Sequence, residues 1–362
     1  MRKPTTRRTS RLAAVLLPVV LLTSASAAAG SADAGAATNP KTSDTVNVVG
    51  YSIVAGVYAK LEAAFQATPA GKNVTFSNSF GASSTQAEDV VNGQPADIVN
   101  FSTQPDLQQL VDNGIVSSKW NSTGAGKLEK GFVADSVVVL VVRKGNPLGF
   151  TGWQSLASKK LKNVAVQIVT PDPISSGSAR WNLLEVYESQ IIQKATAAAA
   201  YSFTNSVVGN VVSEPTSGSK ALTAFLAGTG NVLLAYEADA QAALAKGDAI
   251  QIVYPKQNIA IQTPAALTDS SIPNQDGAKN PGAKAFFSFL FSSAGQTIFA
   301  HNAFRPTLAS VATATKSLFP HVYPAKELTT ITGLGGWPAV TNKFFSSGGI
   351  ITLIEKAHGY SS

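Results

Sequence analysis

Ser175, Ser176, Gly177 and Ser178 form a stretch whose backbone and hydroxyls could do chemistry together. They follow VAVQIV (Val164 to Val169), an apolar run that reads as one buried strand, and a loop broken by Pro171 and Pro173. WNLLEVY comes next, with apolar residues at helical spacing. Serine at a helix start is a preferred cap, because its oxygen accepts an otherwise free backbone N–H. A Ser/Gly loop opening a helix also points several N–H groups outward with the positive end of the helix dipole. Such a junction can seat an anion. One junction alone is ordinarily just a capped helix, so the chemistry depends on others facing it.

Three more junctions share this character. Tyr51-Ser52 ends the first apolar run, and GASS (Gly81 to Ser84) ends the second. PTSGSK (Pro215 to Lys220) opens a later helix. All are built from small residues that let a ligand approach the backbone. Acidic side chains and histidine are absent from the tips, and Lys220 is the only full cation there. The nearest other charges are Asp172, which reads as a loop cap, and Arg180, one turn into the central helix and placed to brace loop carbonyls. Four neutral, donor-rich tips point to an oxyanion site.

Competing chemistries lack their residues. A serine hydrolase needs a G-x-S-x-G elbow followed by an acid and a histidine, but Gly81-Ala82-Ser83 breaks the pattern and the first histidine is His301. The phosphate loop G-x-x-x-x-G-K-[ST] is absent. His301, His321 and His358 are far apart and lack metal-ligand spacing. No cofactor, no metal and no enzymatic activity are expected. An exported hydrolase and a structural or adhesive exported protein are the remaining alternatives.

The tips need a scaffold, and the pattern of the chain describes one. From Thr45, β-type runs alternate with helical segments: VNVVGY before VYAKLEAAFQ, VTFSNSF before TQAEDVVNG, ADIVNFS before DLQQLVDNG. Alternation of this kind implies βαβ units around a mostly parallel sheet. VADSVVVLVVRKGNP (Val133 to Pro147) is longer than one strand needs and reads as a crossing into a second α/β set. QIVYPKQNIAIQTPAALTD (Gln251 to Asp269) reads as the return. The expected partition is lobe one at 45–138 plus 262–362 and lobe two at 139–261. Ligands in such folds bind beyond the carboxyl ends of the strands, where helix starts converge.

Composition narrows the setting. In 362 residues, 44% are hydrophobic and 14% charged, as in a globular protein of two ordinary domains. Arg2, Lys3, Arg7, Arg8 and Arg11 all precede the first acid, Asp33, and without these five the formal net charge falls from +7 to +2. The basic pI therefore gives little reason to expect nucleic acid. The same segment, with LAAVLLPVVLL (Leu12 to Leu22) and ASAAA (Ala25 to Ala29), has the form of a cleavable signal peptide over 1–27. Residues 28–44 read as a disordered linker. With no cysteine there is no disulfide and no usual lipid anchor. A monomeric periplasmic or extracellular protein is expected.

SSGSARWNLL is similar to the SSGGARWN motif of periplasmic sulfate- and thiosulfate-binding proteins, the receptors of ABC importers. VVNGQPADIV, VVLVVRKGNP with Trp153, GNVLLAYEADA, SSAGQTIFAHNAFRP and GLGGWPAVTNKFFSSGG also resemble family segments, in the same order, from about Val46 to His358. The resemblance implies a type II two-lobed periplasmic-binding-protein fold with two crossover segments and the ligand in the cleft between the lobes. It further implies that sulfate or thiosulfate is held by neutral donors and handed to an ABC permease. The implied contacts are the N–H of Ser52, Ser83, the Ser176 hydroxyl, the N–H groups of Gly177 and Ser178, the N–H of Gly218, and Tyr236 where the family has tryptophan. Arg180 is expected behind them. Ser178 replaces a family glycine, and Ser52 replaces an aspartate that acts through its backbone. Molybdate, tungstate and phosphate are the alternative ligands. Sulfate carries no proton near neutral pH, whereas phosphate usually does, and a site offering only donors leaves that proton unpaired.

Overall fold

The computed structural model describes residues 44–360. The expected signal peptide, and the linker up to residue 43, lie outside the described residues. Two five-stranded sheets carry the fold. The first runs in the order Val74–Gly81, Asp44–Tyr51, Ile98–Asn100, Ile261–Leu267, Phe132–Ser136. Asp44–Tyr51 is parallel to both its neighbours, and Ile261–Leu267 is antiparallel to both of its own. The second sheet is ordered Ile250–Val253, Val138–Arg143, Val232–Tyr236, Ile168–Val169, Val211–Ser213. Helices cover both sheets, as their two-sided burial demands. Val48, Ile98, Leu140, Val142 and Leu234 are almost completely buried. This is the two-lobed α/β architecture with strands interleaved between lobes.

The chain passes from one sheet to the other twice. Phe132–Ser136 and Val138–Arg143 belong to different sheets with only Val137 between them. The return runs through Asn258–Ile259 into Ile261–Leu267. Asn258 ties the two crossings by imitating a strand partner: its Oδ1 accepts the Val138 N–H at 3.1 Å and its Nδ2 donates to the Val138 carbonyl at 2.8 Å. Glu237, fully buried on the second lobe, holds Arg305 at 2.7 Å beside this crossing.

The expectation of one buried strand over VAVQIV is corrected. Lys162 and Asn163 both take positive φ (46° and 67°), the geometry of a tight hairpin turn. They fold Val164–Ala165 back onto Lys160–Leu161 at the surface, and only Ile168–Val169 enters the second sheet.

The C-terminal tail packs on the central helix of the second sheet's side. Trp337 packs edge-on against Trp181 at 4.9 Å, and Phe344 against Tyr187 at 5.0 Å, both on the Gly177–Ile192 helix. Tyr360 Oη donates to the Val211 carbonyl at 2.6 Å. On these contacts we propose that the chain from about Ile331 onward counts with the second lobe, whereas the sequence reading places all of 262–362 with the first.

This docking buries an acid pair. Glu355, on the Ile350–Ala357 helix, is only 1% exposed and approaches Glu214. Burial pushes the Glu214 carboxyl up to about 9, with repulsion from Glu355 adding to it. Burial likewise raises Glu355 to about 7, partly relieved by its contact with Glu214, while repulsion from Asp172 adds to the rise. Both acids ordinarily titrate near 4.5. Between that pH and about 9 the folded chain therefore holds protons that the unfolded chain has lost, so stability falls as pH rises. Glu214→Gln is expected to raise the melting temperature above wild type at pH 8–9, with the difference closing toward pH 4.5. Thermal melts across that range check it, and a pH-independent difference contradicts it.

Candidate anion-binding site

Four helix starts converge where the two sheets present the carboxyl ends of their strands. The first is the helical turn Ser52–Val54, which follows the Asp44–Tyr51 strand. The second is the Ser83–Val91 helix after Val74–Gly81. Gly177–Ile192 and Gly218–Leu226 come from the second lobe. They converge on a narrow space lined by Tyr51 to Ile53, Gly81 to Ser83, Ser102, Ser176, Ser178, Ser217 and Gly218. Of the expected contact residues, Ser52, Ser83, Ser176, Ser178 and Gly218 lie on this wall. No lining residue carries a charge. Lys220, the one cation at the tips, turns away and donates to Thr216 Oγ1 at 3.0 Å.

The central motif does not behave as an ordinary cap. Ser176 occupies the cap position with extended backbone (φ −115°, ψ 116°), yet its hydroxyl accepts no helix N–H. It pairs instead with the Ser178 hydroxyl at 2.8 Å. Among the described residues, the Gly177 and Ser178 N–H groups have no hydrogen-bond acceptor. The first turn thus keeps its donors and its dipole for a guest.

Two glycines set how closely the lobes approach. A Cβ on Gly177 would lie 2.8 Å from Ser102 Cβ and 2.9 Å from Thr103 Cγ2, both on the first lobe. A Cβ on Gly218 would lie 2.8 Å from Ile53 Cδ1. Direct bonds cross the same gap: Ser84 N–H donates to the Ser175 carbonyl at 3.1 Å, and Ser219 N–H to Ser52 Oγ at 3.4 Å.

Charged groups stand behind this wall. Asp106, fully buried, accepts from Ser83 Oγ at 2.7 Å, Ser84 Oγ at 2.8 Å and Thr103 Oγ1 at 2.8 Å. Ser83 Oγ in turn accepts the Ser102 N–H at 2.9 Å. Its only proton is therefore committed to Asp106, and the donor left for the space is the Ser83 backbone N–H. Arg180 reaches from the second lobe, its Nε donating to the Pro173 carbonyl at 3.0 Å and its Nη1 lying 3.7 Å from Asp106. Asp172 is occupied by its own loop, accepting from Ile174 N–H at 2.8 Å and Ser175 Oγ at 2.9 Å.

Two of the expected contact residues, Tyr236 and Gly177, are not among those lining the space. Tyr236 is fully buried, and its hydroxyl meets Ser102 Oγ at 2.7 Å. Burial drives the phenol pKa well upward, with neighbouring Tyr51 adding to the shift, so it stays a protonated hydroxyl. Sequence reasoning missed Ser102, Asp106 and Trp181, whose Nε1 donates to the Ser102 carbonyl at 2.9 Å. Only Asp106 left a signal, as the acid three residues after Thr103 in a T-x-x-D helix start. Among the described residues, no cluster of His, Asp and Glu could hold a metal ion, and no helix is long and apolar enough to cross a membrane.

A family model described as bacterial extracellular solute-binding protein matches residues 46–305. The chain belongs to that family. This solute-binding protein is 31% identical to a sulfate-binding protein of Synechococcus elongatus, over 86% of this chain and 87% of that one. It is 30% identical to a thiosulfate-binding protein of Pseudomonas aeruginosa, over 84% and 90% respectively. Among solved structures, the sulfate-binding protein SubI from Mycobacterium tuberculosis superposes with a TM-score of 0.75 at 34% identity, covering 83% of this chain and 99% of its own. A molybdate-binding protein of Azotobacter vinelandii shares the fold at a TM-score of 0.52 and 15% identity. The architecture is thus that of the periplasmic binding proteins.

The fit at Gly177 makes a prediction for this solute-binding protein. Gly177→Ala adds a methyl that clashes only across the cleft, so it opposes closure and leaves each lobe intact. Overpacking of this kind costs about 1–3 kcal/mol, or roughly tenfold to a hundredfold in affinity for a ligand that needs the closed form. Calorimetric titration together with melting of the ligand-free protein checks it. Weaker binding with an unchanged melting temperature is expected, and wild-type affinity contradicts it.

Proposed function

We propose that this chain is an extracytoplasmic receptor that captures sulfate or thiosulfate between its lobes and delivers it to an ABC importer in the membrane. The observation that carries this reading is the lining itself: backbone donors and hydroxyls from both lobes, four helix starts, and no charged side chain. A dianion taken from water needs every oxygen hydrogen-bonded. Each bond to a charged acceptor contributes about 1.5–3 kcal/mol, and helix starts add to that. After desolvation and ordering, a net of about −8 kcal/mol, or micromolar binding, is reasonable. The relatives named for sulfate and thiosulfate match across both lobes, which supports the same ligand class here.

In this reading Ser52, Ser83, Gly177, Ser178 and Gly218 donate through backbone N–H groups and Ser176 through its hydroxyl, while Arg180 braces the Pro173 loop without touching the anion. Closure occurs by rotation about the two crossings. Cleavage of the 1–27 segment would release the receptor outside the membrane as a monomer without cofactor, and it would have no catalytic role.

Titration of the mature chain, dialysed free of oxyanions, with sulfate, thiosulfate, molybdate and phosphate tests the reading. Micromolar or tighter binding of sulfate or thiosulfate is expected, with phosphate at least about a hundredfold weaker because its proton finds no acceptor of sufficient strength. Binding of none of these anions, or of phosphate as tightly as sulfate, contradicts it.

A further inference from the structure

We infer that Ser102 is a direct anion contact, and that Tyr236 acts through it as a positioning residue rather than touching the anion itself. The inference rests on the oxyanion reading above. Ser102 follows the Ile98–Asn100 strand on the first lobe, is 1% exposed, and lines the space between the lobes, which Tyr236 does not. Its Oγ would lie 3.0 Å from a Cβ on Gly177, so the hydroxyl stands against the start of the central helix. All its other polar groups are fixed. The N–H donates to Ser83 Oγ at 2.9 Å, the carbonyl accepts from Trp181 Nε1 at 2.9 Å, and Oγ meets Tyr236 Oη at 2.7 Å.

The hydrogen-bond count then assigns a direction. Each hydroxyl has one proton to give and can accept. Tyr236 Oη has Ser102 Oγ as its bonded neighbour in a fully buried setting. If the phenol donates to Ser102, the serine proton is released to point into the space, toward an anion oxygen. The opposite order would aim the Ser102 proton at the phenol and present a serine lone pair to a negative guest, which is repulsive. An anion therefore orients both hydroxyls as a two-step relay from the second lobe, through the first, to the guest. Because the two residues sit on different lobes, the relay exists only when the lobes meet.

Sulfate affinity measured by calorimetry for wild type, Ser102→Ala, Tyr236→Phe and the double variant tests the relay, with melting of each ligand-free protein as a folding control. Ser102→Ala is expected to weaken binding by roughly tenfold to a hundredfold, as loss of one bond to a charged acceptor. Tyr236→Phe is expected to weaken it by a smaller factor, and to add nothing in the Ser102→Ala background, because the phenol acts only through the serine. Ser102→Ala with wild-type affinity, or a Tyr236→Phe loss that persists in full in the double variant, overturns the inference. If Ser102→Ala does not fold, the wild-type protein crystallised with sulfate decides: Ser102 Oγ within hydrogen-bond distance of the anion supports the relay, and Tyr236 Oη there instead overturns it. A wild type that binds no sulfate overturns the functional reading and the relay together.

Discussion

A doubly charged anion withdrawn from water is tolerable only where each of its oxygens finds a donor already aimed at it, and this molecule is organised around that requirement. The donors that line the space come from both lobes. The first supplies the starts at Ser52 and Ser83, and the second supplies those at Gly177 and Gly218. A guest held by both must be enclosed, and enclosure needs a scaffold that can bring the lobes together. The chain crosses through the single residue Val137, and the Asn258 side chain ties Val138 beside it to the return crossing. Glycine at 177 and 218 then lets the lobes come into contact.

Charge is present but kept at one remove. Asp106 collects three hydroxyl protons, and Arg180 faces it from the other lobe. A carboxylate that accepts from Ser83 and Thr103 fixes the loop conformations without lending its own negative charge to the lining. The wall is therefore neutral while its geometry is fixed by ions. Such an arrangement favours a ligand that only accepts hydrogen bonds, since full cations in contact would attract any anion regardless of its protonation.

Much of this was legible in the sequence because it is local. The Ser/Gly tips after apolar runs, the overlong VADSVVVLVVRKGNP and the extended return before Asp269 follow from turn chemistry and strand length, and the structure places Ser52, Ser83, Ser176, Ser178 and Gly218 on one wall. What was not legible depends on contacts distant in sequence. Ser102 sits in an FST segment without glycine and gains its place only because Tyr236, 134 residues later, meets its hydroxyl. The Ser176 hydroxyl, which stands at the cap position, pairs instead with the serine two residues on. VAVQIV divided because Lys162 and Asn163 accept positive φ, a turn its apolar pattern hides. The packing of Trp337 on Trp181 and of Phe344 on Tyr187 joins segments that no local pattern brings together.

The most direct measurement is a crystal structure of the mature protein grown with sulfate. The account predicts one anion between the lobes, its oxygens within hydrogen-bond distance of backbone N–H groups and hydroxyls from both halves, with Asp106 and Arg180 out of contact. An anion gripped by a charged side chain, or bound anywhere but between the lobes, would contradict it.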